Sequence, residues 1–195
     1  MISPWMKNGD LSGALESTPP LEDTARLNLL CGVAKGLQHL HTLGIIHGDL
    51  YPANVLIDDN GDACLTDFGL SFMPRFVGTS YWSRSVGGNG RWRAPELIAP
   101  LEANIEDYVP NLTRKCDIYS FGSLLLHVMS GECPYPSSSD MQVILHLHHR
   151  TQPPRPQTCL LADAHWDLAK RCWGDHNNPN SRPTVQEVVA AISAL

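Results

Sequence analysis

The sequence predicts a mainly α fold, a helical bundle carrying one small β-hairpin at a polar cleft. Three observations predict it. Apolar residues recur at helical spacing through most of the chain after Leu21. One stretch, Ser123 to Met129, is nearly all apolar, as a helix buried on every side would be. A single pair of short apolar runs, Val55 to Ile57 and Ala63 to Leu65, brackets the turn-rich cluster Asp58, Asp59, Asn60, Gly61 and Asp62, which reads as a hairpin.

Taken in order, Leu21 to His41 places Leu27, Leu30, Ala34, Leu37 and His41 at helical spacing, follows two prolines and meets Gly44 as a stop. Thr113 to Ser130 reads as the buried central helix, closed by Gly131. Met141 to His149, Asp163 to Trp173 and Thr184 to Leu195 supply three more helices, separated by the loops TQPPRPQ and GDHNNPNSRP. No internal repeat or low-complexity segment interrupts them.

At 195 residues and 43% apolar content, the chain can bury one substantial core and is expected to be a single domain. A net charge of −6 offers no basic stripe for nucleic acid and no polybasic membrane anchor. No apolar run approaches the roughly 20 residues that a spanning helix requires, and no signal-peptide core opens the chain. An intracellular, cytoplasmic location is the resulting expectation. The six cysteines are scattered with no CxxC pair, so buried thiols are expected rather than a disulfide framework or zinc site. His146, His148 and His149 lie at the end of a helical stretch, where a solvated face or helix-end charge explains them better than a metal.

Chemistry concentrates around the hairpin. Residues His47 to Ile57 read HGDLYPANVLI, and Asp67 to Gly69 read DFG after the second apolar run. One strand leaves the loop of Asp49 and Asn54, and the other returns to deliver Asp67 beside it. Asp, Asn and Gly are ordinary turn residues, and either triplet alone would need no other explanation. Two triplets in register across one hairpin are less easily put down to turns. Carboxylate and amide oxygens converging on one edge suit a hard cation such as Mg2+, which in turn expects phosphates to complete its shell.

The two loops resemble the catalytic and magnesium-binding loops of eukaryotic protein kinases. Other segments extend the resemblance along the whole chain. Ala94, Pro95 and Glu96 read APE, and in that family the glutamate pairs with an arginine near the C-terminus, where Arg182 of NSRPT stands. Asp117 of DIYSFG would, by the same resemblance, hydrogen-bond the backbone around His47 and hold the catalytic loop rigid. Ser3 to Gly9, SPWMKNG, is similar to the hinge between the two kinase lobes, with Ser3 as gatekeeper. The resemblance then implies that the Pro4 carbonyl and the Met6 amide and carbonyl meet adenine, with Leu56 as the apolar floor.

On this reading residues 1–9 are the hinge and 10–195 the C-terminal, or large, lobe of a kinase domain whose small lobe is absent. No Gly-rich phosphate loop is present, and none of Lys7, Lys35, Lys115 and Lys170 sits in a VAIK-type strand. Trp92, Trp173 and the Arg182–Thr184 triplet RPT resemble tyrosine kinase-like and tyrosine kinases. The catalytic loop lacks the tyrosine-kinase alanine-arginine pattern, so serine/threonine or dual specificity is expected.

The family resemblance implies transfer of the ATP γ-phosphoryl group to a protein hydroxyl. Asp49 would orient the hydroxyl and accept its proton, and Asp67 and Asn54 would hold Mg2+. Three departures qualify this. Gly48 replaces the arginine that reads an activation-segment phosphate, so regulation through Thr79, Ser80, Ser83 or Ser85 is not expected. Tyr51 replaces the lysine that touches the transferred phosphate, and Asn89 a bracing threonine. Negligible transfer is expected from the chain by itself. The alternatives are a kinase completed by a small lobe and a kinase-like pseudoenzyme that binds protein partners through the large-lobe surface.

Overall fold

A computed structural model describes residues 5–67, 90–100, 110–157, 161–175 and 177–195. Within them the fold is mainly α with one two-stranded antiparallel sheet, as the sequence predicts. The helices are α1 (Leu11–Leu15), α2 (Asp23–Thr42), α3 (Arg114–Ser130), α4 (Asp140–His148), α5 (Asp163–Trp173) and α6 (Val185–Ile192). Strands β1 (Val55–Ile57) and β2 (Ala63–Leu65) pair in the register Val55 with Leu65, Leu56 with Cys64 and Ile57 with Ala63.

Helix α3 is the axis of the core. Its buried residues run around every face, from Cys116 and Ile118 to Val128 and Met129. Such a helix gains its stability from packing on all sides rather than from one amphipathic stripe. It packs chiefly against α5, and Gly122 makes the approach close. A methyl group at that position would lie 2.6 Å from Cys172 Cβ and 3.1 Å from the Ala169 carbonyl oxygen. Trp173 fills the same seam and donates its indole N–H to Ser123 Oγ at 3.1 Å.

Helix α2 buries Leu30, Ala34, Leu37 and His41 of the positions that the periodicity marks, together with Leu29, Val33 and Leu40, while Leu27 is half-buried. It packs on α3, α6 and β2. Gly32 and Gly36, one helical turn apart, let the hairpin lie directly on α2. A methyl at either would come within 3.1 Å of the Ala63 or Leu65 side chain.

Helix ends follow local chemistry. Ser139 with Gln142, and Thr184 with Glu187, form reciprocal capping boxes at the starts of α4 and α6. Gly131 ends α3 at φ 77°, the left-handed turn that glycine adopts without strain. Two boundaries differ from the sequence reading by more than one residue. Helix α2 starts at Asp23, not Leu21, and α6 ends at Ile192, three residues before the C-terminus, in a terminal turn. Short α1 leaves no periodic signature, and its N-terminus is set by Asp10, whose side chain accepts from the Gly13 amide at 2.9 Å. Cys116 and Cys172 are buried thiols; Cys31, Cys64 and Cys133 are half-buried and also free, and Cys159 lies outside the described residues. Among the described residues no helix is long and apolar enough to cross a membrane.

Candidate functional site

The loop preceding β1 is held from beneath by a buried carboxylate. Asp117 of α3 is 1% exposed. Its Oδ2 accepts the His47 amide at 3.0 Å and Oδ1 accepts the Gly48 amide at 2.8 Å. The same Oδ2 lies 2.7 Å from His41 Nε2, at the end of α2. A buried carboxylate is costly unless its lone pairs are used, and here three donors from two elements use them. The loop is thereby fixed to the two largest helices, as expected of Asp117. His41 was read only as part of an apolar stripe, and its polar role has no local signal.

Gly48 bends this loop at φ 80°, a conformation that costs a side-chain-bearing residue roughly 1 kcal/mol or more. The glycine that departs from the kinase pattern therefore suits the backbone it occupies.

The returning strand brings Asp67 to the loop. Thr66 donates its amide to the Asn54 carbonyl at 3.0 Å, and its own carbonyl lies 3.0 Å from His47 Nε2. Asp67 follows directly, exposed and at φ 57°, a left-handed conformation uncommon outside glycine, asparagine and aspartate. Asn54 is buried and donates its amide to the Asp49 carbonyl at 2.8 Å. The Asn54 amide oxygen takes no part in that bond. Asn54 also reaches Asp49 Oδ2 at a long 3.5 Å.

Asp49 itself is largely shielded, with a side chain 13% exposed. Burial pushes its carboxyl above the usual carboxylate range; Arg93 beside it, and His47, offset part of that rise, while Asp67 adds to it. Arg93 Nη2 lies 3.4 Å from Asp49 Oδ1. Arg93 was not among the expected site residues, because a contact across 44 positions leaves no trace in local spacing. Tyr51 turns its ring to Trp92, with centroids 6.1 Å apart, and Trp92 packs on His127 at 5.6 Å.

The segment expected to meet adenine is partly described. The Gly9 carbonyl accepts the Ile57 amide at 2.9 Å, and Asp10 bridges Leu56, so the chain after Met6 is stitched alongside β1. Met6 is half-buried and one lone pair of its carbonyl takes the Gly9 amide at 3.2 Å. Leu56 is half-buried at the centre of β1. Pro4 and Ser3 lie outside the described residues, as do Phe68, Gly69, Thr79, Ser80, Ser83, Ser85 and Asn89.

Glu96 and Arg182 meet as expected. Arg182 Nη2 donates to Glu96 Oε2 at 2.9 Å and Nη1 to Oε1. Arg182 also donates to the Trp173 and Lys115 carbonyls at 3.0 and 2.9 Å, so the buried guanidinium is well satisfied. Among the described residues no three His, Cys, Asp or Glu side chains gather into a metal-type cluster. His146 instead stacks on Tyr135, ring centroids 5.3 Å apart.

A family model described as "Protein tyrosine and serine/threonine kinase" matches residues 1–192. The serine/threonine/tyrosine-protein kinase HT1 of Arabidopsis thaliana is 31% identical over 195 residues, covering 98% of this chain and 46% of that protein. A Dictyostelium discoideum protein named as a probable serine/threonine-protein kinase is 34% identical over 177 residues, 90% of this chain and 12% of that protein. The chain thus spans about half, or much less, of the length of these relatives.

Proposed function

The chain belongs to the protein tyrosine and serine/threonine kinase family, and from that premise we propose that the loop of Asp49 and the turn of Asp67 form a site for phosphoryl transfer from ATP to a protein hydroxyl. Serine or threonine is the proposed acceptor, with tyrosine as the dual-specificity option. The observation that carries this reading is the convergence produced by Asp117 and Thr66. The first fixes the backbone before Asp49, and the second ties Asp67 to Asn54 and His47.

The donor set fits a hard cation. Asn54 offers an amide oxygen whose orientation is set by its N–H bond to the Asp49 carbonyl, and Asp67 offers an exposed carboxylate. These two would hold Mg2+, which, when bound, neutralises the charge on the phosphates. Asp49 would hold the acceptor hydroxyl and take its proton. A carboxyl raised by burial is a stronger base than an open aspartate, which suits that role. Leu56 and the Met6 backbone, with Pro4 before them, would take the adenine end.

Tyr51 favours a second reading, a kinase-like protein that engages a partner at this surface without transferring phosphate. It brings an aromatic ring to Trp92 where charge would aid transfer. Purified protein incubated with Mg2+, γ-labelled ATP and a mixed protein acceptor separates the two. Label incorporation that both Asp49→Asn and Asp67→Ala abolish selects the first reading and overturns the expectation of negligible transfer from the chain by itself. A melting shift on adding Mg2+ and ATP with no incorporation would select the second reading.

A further inference from the structure

Asp49 receives a charge from outside its own loop. The Arg93 guanidinium approaches Oδ1 at 3.4 Å, and the two side chains are only 18% and 13% exposed. Attraction between charges so shielded is several times stronger than at an open surface. Asn54 reaches the other oxygen, Oδ2, at 3.5 Å, so the carboxylate is approached by a donor at each end.

The backbone that carries Arg93 is pinned on its other side. Arg91 donates to the Pro134, Tyr135 and Ser138 carbonyls at 3.2, 2.7 and 2.7 Å, and to Asp140 Oδ1 at 3.0 Å. Trp92, between the two arginines, is 9% exposed and lies between the rings of His127 and Tyr51. Position 51 therefore contributes packing in place of charge. That packing supports the very segment from which a charge reaches Asp49. The four lysines lie elsewhere: Lys7 beside Asp59, Lys170 beside Asp167, Lys115 on the Arg182 and Pro183 carbonyls, and Lys35 on the exposed side of α2.

We infer that Arg93 is a positioning residue for Asp49, supplying from the Gly90–Arg93 segment the cation that Tyr51 does not, with the Tyr51–Trp92–His127 column as its support. Its catalytic consequence rests on the proposed role of Asp49 toward the acceptor hydroxyl. Held at both oxygens, the carboxylate keeps one orientation. A carboxylate free to rotate would spend much of its time turned away from the acceptor, lowering turnover without altering nucleotide affinity.

The experiment compares wild type, Arg93→Met and Arg93→Lys as purified, isotopically labelled protein. Three-bond couplings to Asp49 Cγ report its χ1 rotamer directly. One rotamer is expected in wild type and Arg93→Lys, and averaging in Arg93→Met; an unchanged coupling in Arg93→Met overturns the inference. In the transfer assay, Arg93→Met is expected to lower kcat about tenfold, the worth of one hydrogen bond to a charged group, with KM for ATP unchanged and substantial recovery in Arg93→Lys. A raised KM with unchanged kcat also overturns it. Wild-type protein that transfers nothing would defeat the proposed function instead, and the rotamer measurement would still decide whether Arg93 positions Asp49.

Discussion

Asp117 Oδ2 lies 2.7 Å from His41 Nε2, with side chains 1% and 3% exposed. Removing the carboxylate in Asp117→Ala strands the imidazole and the amides of His47 and Gly48 in the interior. A loss of about 3–5 kcal/mol is expected, measured by urea denaturation. His41→Phe leaves the two amide bonds in place and should cost less, about 1–2 kcal/mol. Equal losses in the two variants would contradict the division of labour at Asp117.

The Glu96–Arg182 pair gives stability a defined acid limit. Burial alone would raise the Glu96 carboxyl, but the two bonds from Arg182 hold it below its ordinary value of 4.5. A depressed folded value means that this stabilisation is complete above about 4.5 and is lost as pH falls through the lower folded value. Glu96→Gln should cost about 3 kcal/mol at pH 7, because Arg182 stays buried without its counter-charge. The gap between wild type and variant in urea midpoint should then narrow as pH falls below about 4.5.

His127 sets a second, milder pH dependence. Burial lowers its imidazole from 6.5 to about 4, and its Nδ1 is buried without a hydrogen-bond partner. Between those values the unfolded chain takes a proton that the folded chain refuses, so stability falls as pH drops through that window. His127→Phe keeps a ring against Trp92 and removes the titrating group. Its melting temperature should fall less than that of wild type between pH 6.5 and 4.5.

Gly122 is a packing residue, not a flexible one. Replacing a helical glycine by alanine ordinarily gains up to about 1 kcal/mol. Here the added methyl would meet Cys172 Cβ at 2.6 Å, and moving α5 off α3 should cost about 1–3 kcal/mol. Gly122→Ala is therefore expected to melt below wild type, a sign opposite to that of helix propensity alone.

Legibility in the sequence followed the range of each interaction. The hairpin was readable to the residue, because the cluster Asp58–Asp62 and its flanking apolar runs are all local. The long helices were readable to within a few residues because their spacing repeats. Glu96 with Arg182, 86 positions apart, and Asp117 with the amides of His47 and Gly48 were legible only through the resemblance to kinases. Arg93 beside Asp49 and His41 beside Asp117 were not legible at all. Each is a single polar residue whose partner is chosen by tertiary packing, and nothing in its neighbours' spacing marks it. Residues Leu11–Leu15 were missed because a five-residue helix is too short to display a period.

The carboxylate that steadies the loop of His47 and Gly48 projects from α3, an element enclosed on every face by the rest of the molecule. The amides of His47 and Gly48 can exchange their hydrogens with solvent only when that enclosure opens. Their exchange should therefore share the slowest, globally unfolding class with α3 itself, while the amides of Asn60 and Gly61 at the hairpin tip exchange quickly. On heating, the site should persist until the core melts and then vanish with it, so that a loss of function at moderate temperature would have to begin elsewhere.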